Sequence, residues 1–281
     1  MTEKKVTGVL QSDWSAVIQD YPIASGWTHD GAVLVVCDSA GGLYVFDSQQ
    51  GELLWSEPCA HEGGALAMSM HPVEAVFATA GQDGKILIWD LTGAHSRCCI
   101  EVGSGWVENV LWSPDGARLA SSHGREIQIF GVDGAEQWRS DEHLSTVSAL
   151  GWLNSNELVS TCYGRVTIFD SDTGEPNQRF EWKGSLVSLA LSPDGDVIAC
   201  GSQDNSVHFW RRSTGEDSMM AGYPGKPAAL AFDSTGTLLA TGGGETVTVW
   251  SFEGDGPEGT YPGSLEPVSY THLTLPTKWT V

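Results

Sequence analysis

The stretch FATAGQDGKILIWD, residues 77–90, consists of two apolar runs joined by a turn that contains two glycines. Its second run, Ile86 to Trp89, is made of the β-branched, aliphatic and aromatic residues found in strands. Glycine supplies the positive φ angles that tight turns require. The stretch therefore predicts a β-hairpin.

The aromatic end of this hairpin recurs along the chain at a nearly constant spacing. Six short apolar segments end in an aromatic residue that lies 39 to 43 residues after the previous one: Leu43–Phe46, Ile86–Trp89, Ile127–Phe130, Val166–Phe169, Val207–Trp210 and Val247–Trp250. A period near 40 residues that holds over six copies indicates an internal structural repeat.

Each copy has the same set of strands and turns around it. An apolar run precedes the aromatic segment, for example Val197 to Cys200, and a turn such as Pro193-Asp-Gly195 precedes that run. One more strand comes earlier and a fourth follows, so each period is a four-stranded antiparallel unit. Because one sheet cannot cover both of its apolar faces, we expect the units to stack radially into an all-β propeller. The prediction is six complete repeats plus a partial, closing seventh blade.

This repeat resembles that of the WD-repeat (WD40-type) β-propeller family over nearly the whole chain. The best copy is residues 77–90, with Ala60-His61 upstream of it. The resemblance implies a structural tetrad, a hydrogen-bonded chain formed by His61, Thr79, Asp83 and Trp89. Such a chain is a folding device and not a catalytic triad, since a buried polar network stabilises only when every member is hydrogen-bonded.

Other repeats depart from this pattern. The fifth keeps Asp204 and Trp210 but has Cys200 where the family has serine or threonine. The first, third, fourth and sixth have a shorter second hairpin that lacks the aspartate. We therefore expect the blades to differ in stability while sharing one fold.

The charge of the chain restricts its partners. Lys and Arg total 14 against 36 Asp and Glu, a formal net charge of −22. This charge repels a phosphate backbone and an anionic membrane surface, so no nucleic-acid or membrane partner is expected. The chain has no apolar run of transmembrane length. Its six cysteines fit a reducing compartment. The prediction is a cytoplasmic protein, monomeric by itself.

The two ends of the chain differ from the repeats. Residues 1–20 precede the first repeat, and Val6 to Ile18 are expected to supply a closing strand. The propeller is assigned to residues 21–269. Residues 270–281 have no turn at the expected place, and we interpret them as an irregular, non-native tail that follows a truncated seventh blade. A six-bladed ring with an irregular tail is the alternative.

An enzymatic alternative rests on Cys98-Cys99, because pyrroloquinoline quinone dehydrogenases, which are also propellers, carry a vicinal disulfide. Residues 47–55 and 170–174 also resemble quinoprotein repeats. The chain is much shorter than those enzymes, however, and shows no cofactor-binding residues around the pair. Cys59-Ala-His61 is only half of a tetrahedral metal site. We therefore expect no catalysis, no cofactor and no metal, with a quinoprotein-like oxidoreductase as the alternative.

The favoured function is a scaffold that binds other proteins through the top face of the propeller. The loops entering the first strand and the second hairpin of each blade meet there, and exposed aromatic residues flanked by polar groups are typical of binding hot spots. We call the following residues the predicted rim: Tyr21, Gln82, Trp106, Glu108, His123, Thr146, Ser148, Tyr163, Ser185, Gln203 and Lys226.

Overall fold

The computed structural model describes residues 14–244 and 246–252, together with the backbone of residues 268–269. Every regular element in these ranges is a β-strand. The first sheet contains β1 (Pro22–Trp27), β2 (Val33–Asp38), β3 (Leu43–Asp47) and β4 (Leu53–Glu57). The second contains β5 (Ala65–Met70), β6 (Val76–Gly81), β7 (Lys85–Asp90) and β8 (Ser96–Glu101). The third contains β9 (Val107–Trp112), β10 (Arg118–His123), β11 (Glu126–Gly131) and β12 (Glu136–Arg139).

The remaining strands form two more sheets. A six-stranded sheet contains β13 (Ala149–Asn154), β14 (Glu157–Asp170), β15 (Pro176–Leu191), β16 (Val197–Ser202), β17 (Ser206–Arg211) and β18 (Asp217–Ala221). The last sheet contains β19 (Ala229–Phe232), β20 (Leu238–Gly242), β21 (Thr246–Ser251) and β22 (Val268–Ser269). Neighbouring strands are antiparallel throughout the described pairs, as the hairpin pattern predicts.

The six-stranded sheet is the main departure from the predicted architecture. The sequence pattern predicts six four-stranded units and a partial seventh, whereas the strands of the described residues group into five sheets. The physical reason is that residues expected to form loops pair as strands instead. Tyr163 pairs with Ser185 and Arg165 pairs with Glu181. Strand β14 therefore continues through the predicted second hairpin of the fourth repeat, and β15 continues from the fourth repeat into the fifth.

The hairpin of residues 77–90 forms as predicted. Strand β6 pairs with β7 in regular register, Phe77 opposite Trp89 and Thr79 opposite Leu87. Gly84 in the turn has a φ of +73°, and a Cβ there would lie 1.9 Å from the carbonyl oxygen of Gly103. Only glycine fits this position without a shift of the backbone.

The core lies between successive sheets and not within one sheet. Val35 and Val45 of the first sheet pack with Phe77 and Trp89 of the second. The same arrangement follows between the second and third sheets and between the third and the six-stranded sheet. This face-to-face burial is what the stacking argument requires, because each sheet covers an apolar face of the next.

The predicted ends of the chain are described only in part. Residues 14–18 form no strand, yet Trp14, Ala16 and Ile18 pack against the buried residues of the first sheet. The Trp14 indole N–H donates to the carbonyl of Ser48 at 2.8 Å. Residues 1–13 and the predicted tail 270–281 lie outside the described residues. In the ranges that the structure does describe, no helix has the length and apolar character that crossing a membrane requires.

Candidate functional site

The structure brings His61, Thr79, Asp83 and Trp89 together in one hydrogen-bonded chain. The indole N–H of Trp89 donates to the Thr79 hydroxyl at 2.9 Å, and the His61 Nε2 lies 2.8 Å from the same hydroxyl. The His61 Nδ1 lies 3.0 Å from Asp83 Oδ1. If Nδ1 carries the proton, every donor in the chain faces an acceptor, and the Thr79 hydroxyl donates to Nε2.

The electrostatics of this chain favour a neutral imidazole. His61 and Thr79 are fully buried and Trp89 nearly so. Burial lowers the pKa of His61, and the Asp83 carboxylate opposes this shift without overcoming it. A neutral imidazole with one proton matches the donor and acceptor pattern of the chain. The arrangement orders a loop against a hairpin and leaves no group free to attack a substrate.

The last sheet contains a similar chain with different chemistry. The Tyr223 hydroxyl lies 2.7 Å from the Thr241 hydroxyl, and the Trp250 indole N–H donates to Tyr223 at 2.7 Å. A tyrosine therefore occupies the role of the histidine. Sequence reasoning missed it because the family pattern points to histidine. The signal that could have revealed it is the buried threonine and closing tryptophan of this repeat.

A second buried histidine, also missed, lies in the loop between the third sheet and the six-stranded sheet. His143 donates from Nδ1 to the carbonyl of Arg125 at 2.9 Å, and its Nε2 lies 3.0 Å from the Ser160 hydroxyl. Burial lowers the pKa of His143, and nearby arginines add to the shift. This repeat lacks the aspartate of the second one, and the Arg125 carbonyl accepts the hydrogen bond from Nδ1 instead.

The fifth repeat replaces the polar chain with stacked aromatic rings. Trp182 stacks on the His208 ring with centroids 3.7 Å apart, and His208 meets Trp210 edge-on at 4.4 Å. Cys200 is buried in the same cluster, where burial raises the pKa of its thiol well above the usual range. The absence of a hydroxyl at Cys200 thus coincides with an apolar contact in place of a hydrogen bond.

The aromatic members of the predicted rim are exposed. Trp106 is 55% exposed, Tyr163 58% and Tyr21 51%. Large apolar side chains elsewhere in the sheets are mostly buried between neighbours. These three are therefore available for contact with another molecule.

An open cavity of about 540 Å³ unites part of the predicted rim. The predicted residues among those that line it are Thr146, Ser148, Tyr163, Ser185 and Gln203. They come from two neighbouring repeats of the six-stranded sheet, at the edge where the strands of one repeat lead into the next.

The other rim residues are placed separately from this cavity. Glu108 accepts a hydrogen bond from the Gly124 amide at 3.0 Å, and His123 Nε2 accepts one from the Gly105 amide at 3.1 Å. Both side chains therefore order loops of the third sheet next to Trp106. Gln82 is half-buried in the β6–β7 turn, and Lys226 is exposed in the loop before the last sheet.

The cysteines give no support to a quinone-dependent site. All six are free thiols, including the adjacent Cys98 and Cys99. Cys99 is exposed because it faces outward on the edge strand β8, while Cys98 is half-buried. Within the described ranges, no three histidine, cysteine, aspartate or glutamate side chains gather closely enough to hold a metal ion.

Known proteins share the repeat. The family model described as "WD domain, G-beta repeat" matches residues 53–90, 174–211 and 222–251. The chain is 22% identical over 210 residues to the serine-threonine kinase receptor-associated protein of Mus musculus, covering 73% of this chain and 59% of that protein. It is 26% identical over 260 residues to cell division cycle 20.6, cofactor of APC complex, of Arabidopsis thaliana, covering 85% and 60%. The chain thus spans about three fifths of the length of these relatives.

A solved structure shows the same fold. One chain of the crystal structure of the mitotic checkpoint complex superposes with a TM-score of 0.72 at 21% identity, covering 82% of this chain and 74% of that chain. The matched segments contain β4 to β7, β15 to β17 and β19 to β21, and all four tetrad residues lie in the first of them. Three segments of the chain thus match the WD-domain repeat, and the described sheets share the β-propeller fold of the solved structure.

Proposed function

We propose that this protein is a non-catalytic scaffold that binds other proteins through the predicted rim. The observation that carries the proposal is the exposure of Trp106, Tyr163 and Tyr21 on one edge of the sheets, beside polar side chains. Tryptophan and tyrosine are the residues most enriched in binding hot spots, because they bury a large area and lose little conformational freedom.

The similar proteins support this proposal by what their names describe. One is a receptor-associated protein, one is a cofactor of a complex, and the solved structure is of a complex. Each name describes association with other proteins. By analogy, the shared repeat serves here as a binding platform, and the cytoplasm is the compartment we propose for it.

Trp106 is the proposed anchor of the rim. It directly precedes β9, and the Gly105 amide before it is fixed by the His123 ring. The backbone is therefore ordered on both sides of an indole that is more than half exposed. An ordered, exposed aromatic residue loses little entropy on binding, which is the condition for a strong contact.

We also propose that the six-stranded sheet acts as two blades, which gives six repeats. Supporting this count, Val166 and Ile168 of one half are buried against Leu186 and Ile198 of the other. The two halves thus pack face to face, like the separate sheets, although their strands are continuous.

Affinity capture followed by mass spectrometry tests the proposed function. The wild-type protein, Trp106→Ala and Asp133→Lys are immobilised separately and exposed to the same cell extract. Asp133 lies in the β11–β12 turn, at the edge opposite the rim. We expect Trp106→Ala to lose the proteins that the wild type retains and Asp133→Lys to keep them. Equal retention by all three would contradict binding at the rim.

A further inference from the structure

The cavity on the rim has an apolar floor and polar walls. Leu186 is fully buried beneath it and Val187 is half-buried beside it. Tyr163 and Gln203, both exposed, stand on the two hairpin turns that border the cavity. We call this site the rim cleft.

The backbone holds the two walls of the rim cleft in place. The Tyr163 amide donates to the Ser145 hydroxyl at 2.8 Å, and Tyr163 pairs with Ser185 across the strands. The Gln203 amide donates to the carbonyl of the same Ser185 at 2.9 Å. Ser185 therefore connects both walls, and the rim cleft is formed before any partner arrives.

The rim cleft carries no charge although the chain is strongly acidic. Its eight lining residues are three serines, a threonine, a tyrosine, a glutamine, a leucine and a valine, in a chain with 36 Asp and Glu. Among the described residues, no side-chain hydrogen bond is formed by the Tyr163 phenol or the Gln203 amide group. Both groups remain free to bond to a ligand.

We infer that the rim cleft binds a short uncharged segment of a partner protein. An apolar side chain of that segment lies on Leu186 and Val187, while Tyr163 and Gln203 hydrogen-bond to its backbone or to a neutral polar side chain. A charged side chain would lose its hydration in the rim cleft without gaining an opposite charge, so charges are disfavoured there. Basic residues flanking the segment are favoured, because the net charge of −22 attracts them from a distance.

This inference rests on the proposed function, and selection from a phage-displayed library of random 12-residue peptides tests it. The probes are the peptides that the wild-type protein selects. We expect their central positions to lack Asp, Glu, Lys and Arg. Added salt should slow their association and leave their dissociation rate unchanged, because charge acts on the approach and not within the rim cleft.

Two variants examine the site itself. Tyr163→Ala removes one wall, and Gln203→Glu adds one carboxylate with almost no change in size. Each variant should weaken the affinity for the selected peptides at least tenfold. Neither should shift the melting temperature, because both side chains are exposed. Val73→Ala is the control, since Val73 is 71% exposed in the β5–β6 turn at the opposite edge and should have no effect.

The outcomes separate this inference from the proposed function. Peptides with charged centres, or peptides that bind Tyr163→Ala and Gln203→Glu as tightly as the wild type, overturn the inference. If Trp106→Ala weakens the binding of such peptides, the rim remains a binding surface and only the inference about the rim cleft fails. If no peptide is selected, or if no rim variant alters binding, both the inference and the proposed function fail.

Discussion

The Tyr223 hydroxyl lies 2.7 Å from the Thr241 hydroxyl in the last sheet, and this contact repeats the one between His61 Nε2 and Thr79 in the second sheet. In both sheets a tryptophan indole also donates to the threonine hydroxyl. A phenol and an imidazole thus serve the same purpose, because each both donates and accepts. The polar chain depends on hydrogen-bond complementarity and not on one residue type.

Removal of the phenol oxygen should destabilise the last sheet. Tyr223→Phe leaves the Thr241 hydroxyl without this partner and deprives Trp250 of its 2.7 Å acceptor. The Trp250 indole keeps a 3.1 Å contact to Thr241, so we expect a loss of only about 1 kcal/mol in the free energy of unfolding. Urea unfolding followed by tryptophan fluorescence measures the change. Unaltered stability would show that the hydrogen bonds of Tyr223 contribute nothing to the free energy of unfolding.

The aspartate of the second sheet offers a sharper test. Asp83→Ala removes the acceptor that lies 3.0 Å from the buried His61 Nδ1, so a buried donor loses its partner. We expect a loss of roughly 1 to 3 kcal/mol in the free energy of unfolding. Asp83→Asn keeps an acceptor oxygen and should lose less.

The control for Asp83 is Asp141→Ala, which removes an exposed carboxylate outside the polar chain. Its effect should lie within about 0.5 kcal/mol. If Asp83→Ala is no more destabilising than Asp141→Ala, the proposal that Asp83 stabilises the second sheet is wrong.

Stability should fall on mild acidification. Burial lowers the pKa of His61, His143 and His208 below the usual 6.5. The unfolded chain therefore binds protons at these sites before the folded one does. Stability is fully present above pH 6.5 and decreases as the pH falls below it, by up to about 1.4 kcal/mol per pH unit for each histidine.

Urea unfolding at pH 7.5, 6.5 and 5.5 measures this effect. High salt should be present, because the net charge of −22 becomes smaller on acidification and would otherwise mask the loss. Carboxylates whose pKa is lowered, such as Asp90 with a pKa of about 2, act only in a more acidic range. Equal or greater stability at pH 5.5 would contradict the buried, neutral state of these histidines.

Arg118 connects the third sheet to the six-stranded sheet. Its guanidinium donates to the Ser155 carbonyl at 3.1 Å and to the Ser171 hydroxyl at 2.9 Å, and it pairs with Asp172. Arg118→Met should lower the free energy of unfolding by roughly 1.5 to 3 kcal/mol, since bonds to a charged group are lost between two sheets. Arg179→Met is the matched control, because Arg179 is exposed and should change stability by less than about 0.5 kcal/mol. Equal effects would show that the bridge adds no stability.

The repeating hairpins were predictable from local chemistry. Turn glycines such as Gly84 and the closing aromatic of each repeat fix strand positions, and a periodic pattern predicts sheets that stack. The tetrad residues could be located because one copy, residues 77–90, matches the family pattern throughout. These features depend on residues close together in the sequence.

The features that were not predictable depend on contacts between distant residues. The pairing of Tyr163 with Ser185 joins two predicted units, and no local signal distinguishes a paired segment from a loop there. Arg118 and Asp172 are far apart in the sequence, and nothing in the residues around either one indicates that they form an ion pair. Likewise, the rim cleft appears only when the strands bring Thr146 and Gln203 to the same edge.

The most direct test of the central claim compares two exposed tryptophans at opposite edges of the sheets. Trp106, at the rim, is 55% exposed, and Trp27, at the far end of β1, is 49% exposed. The measurement is the dissociation constant of a purified partner, identified by the affinity capture. It is determined by isothermal titration calorimetry for the wild type, Trp106→Ala and Trp27→Ala. We expect Trp106→Ala to weaken binding roughly thirtyfold or more, equivalent to about 2 kcal/mol, at an unchanged melting temperature, and Trp27→Ala to bind normally. Normal binding by Trp106→Ala, or equal weakening by Trp27→Ala, would contradict recognition at the rim.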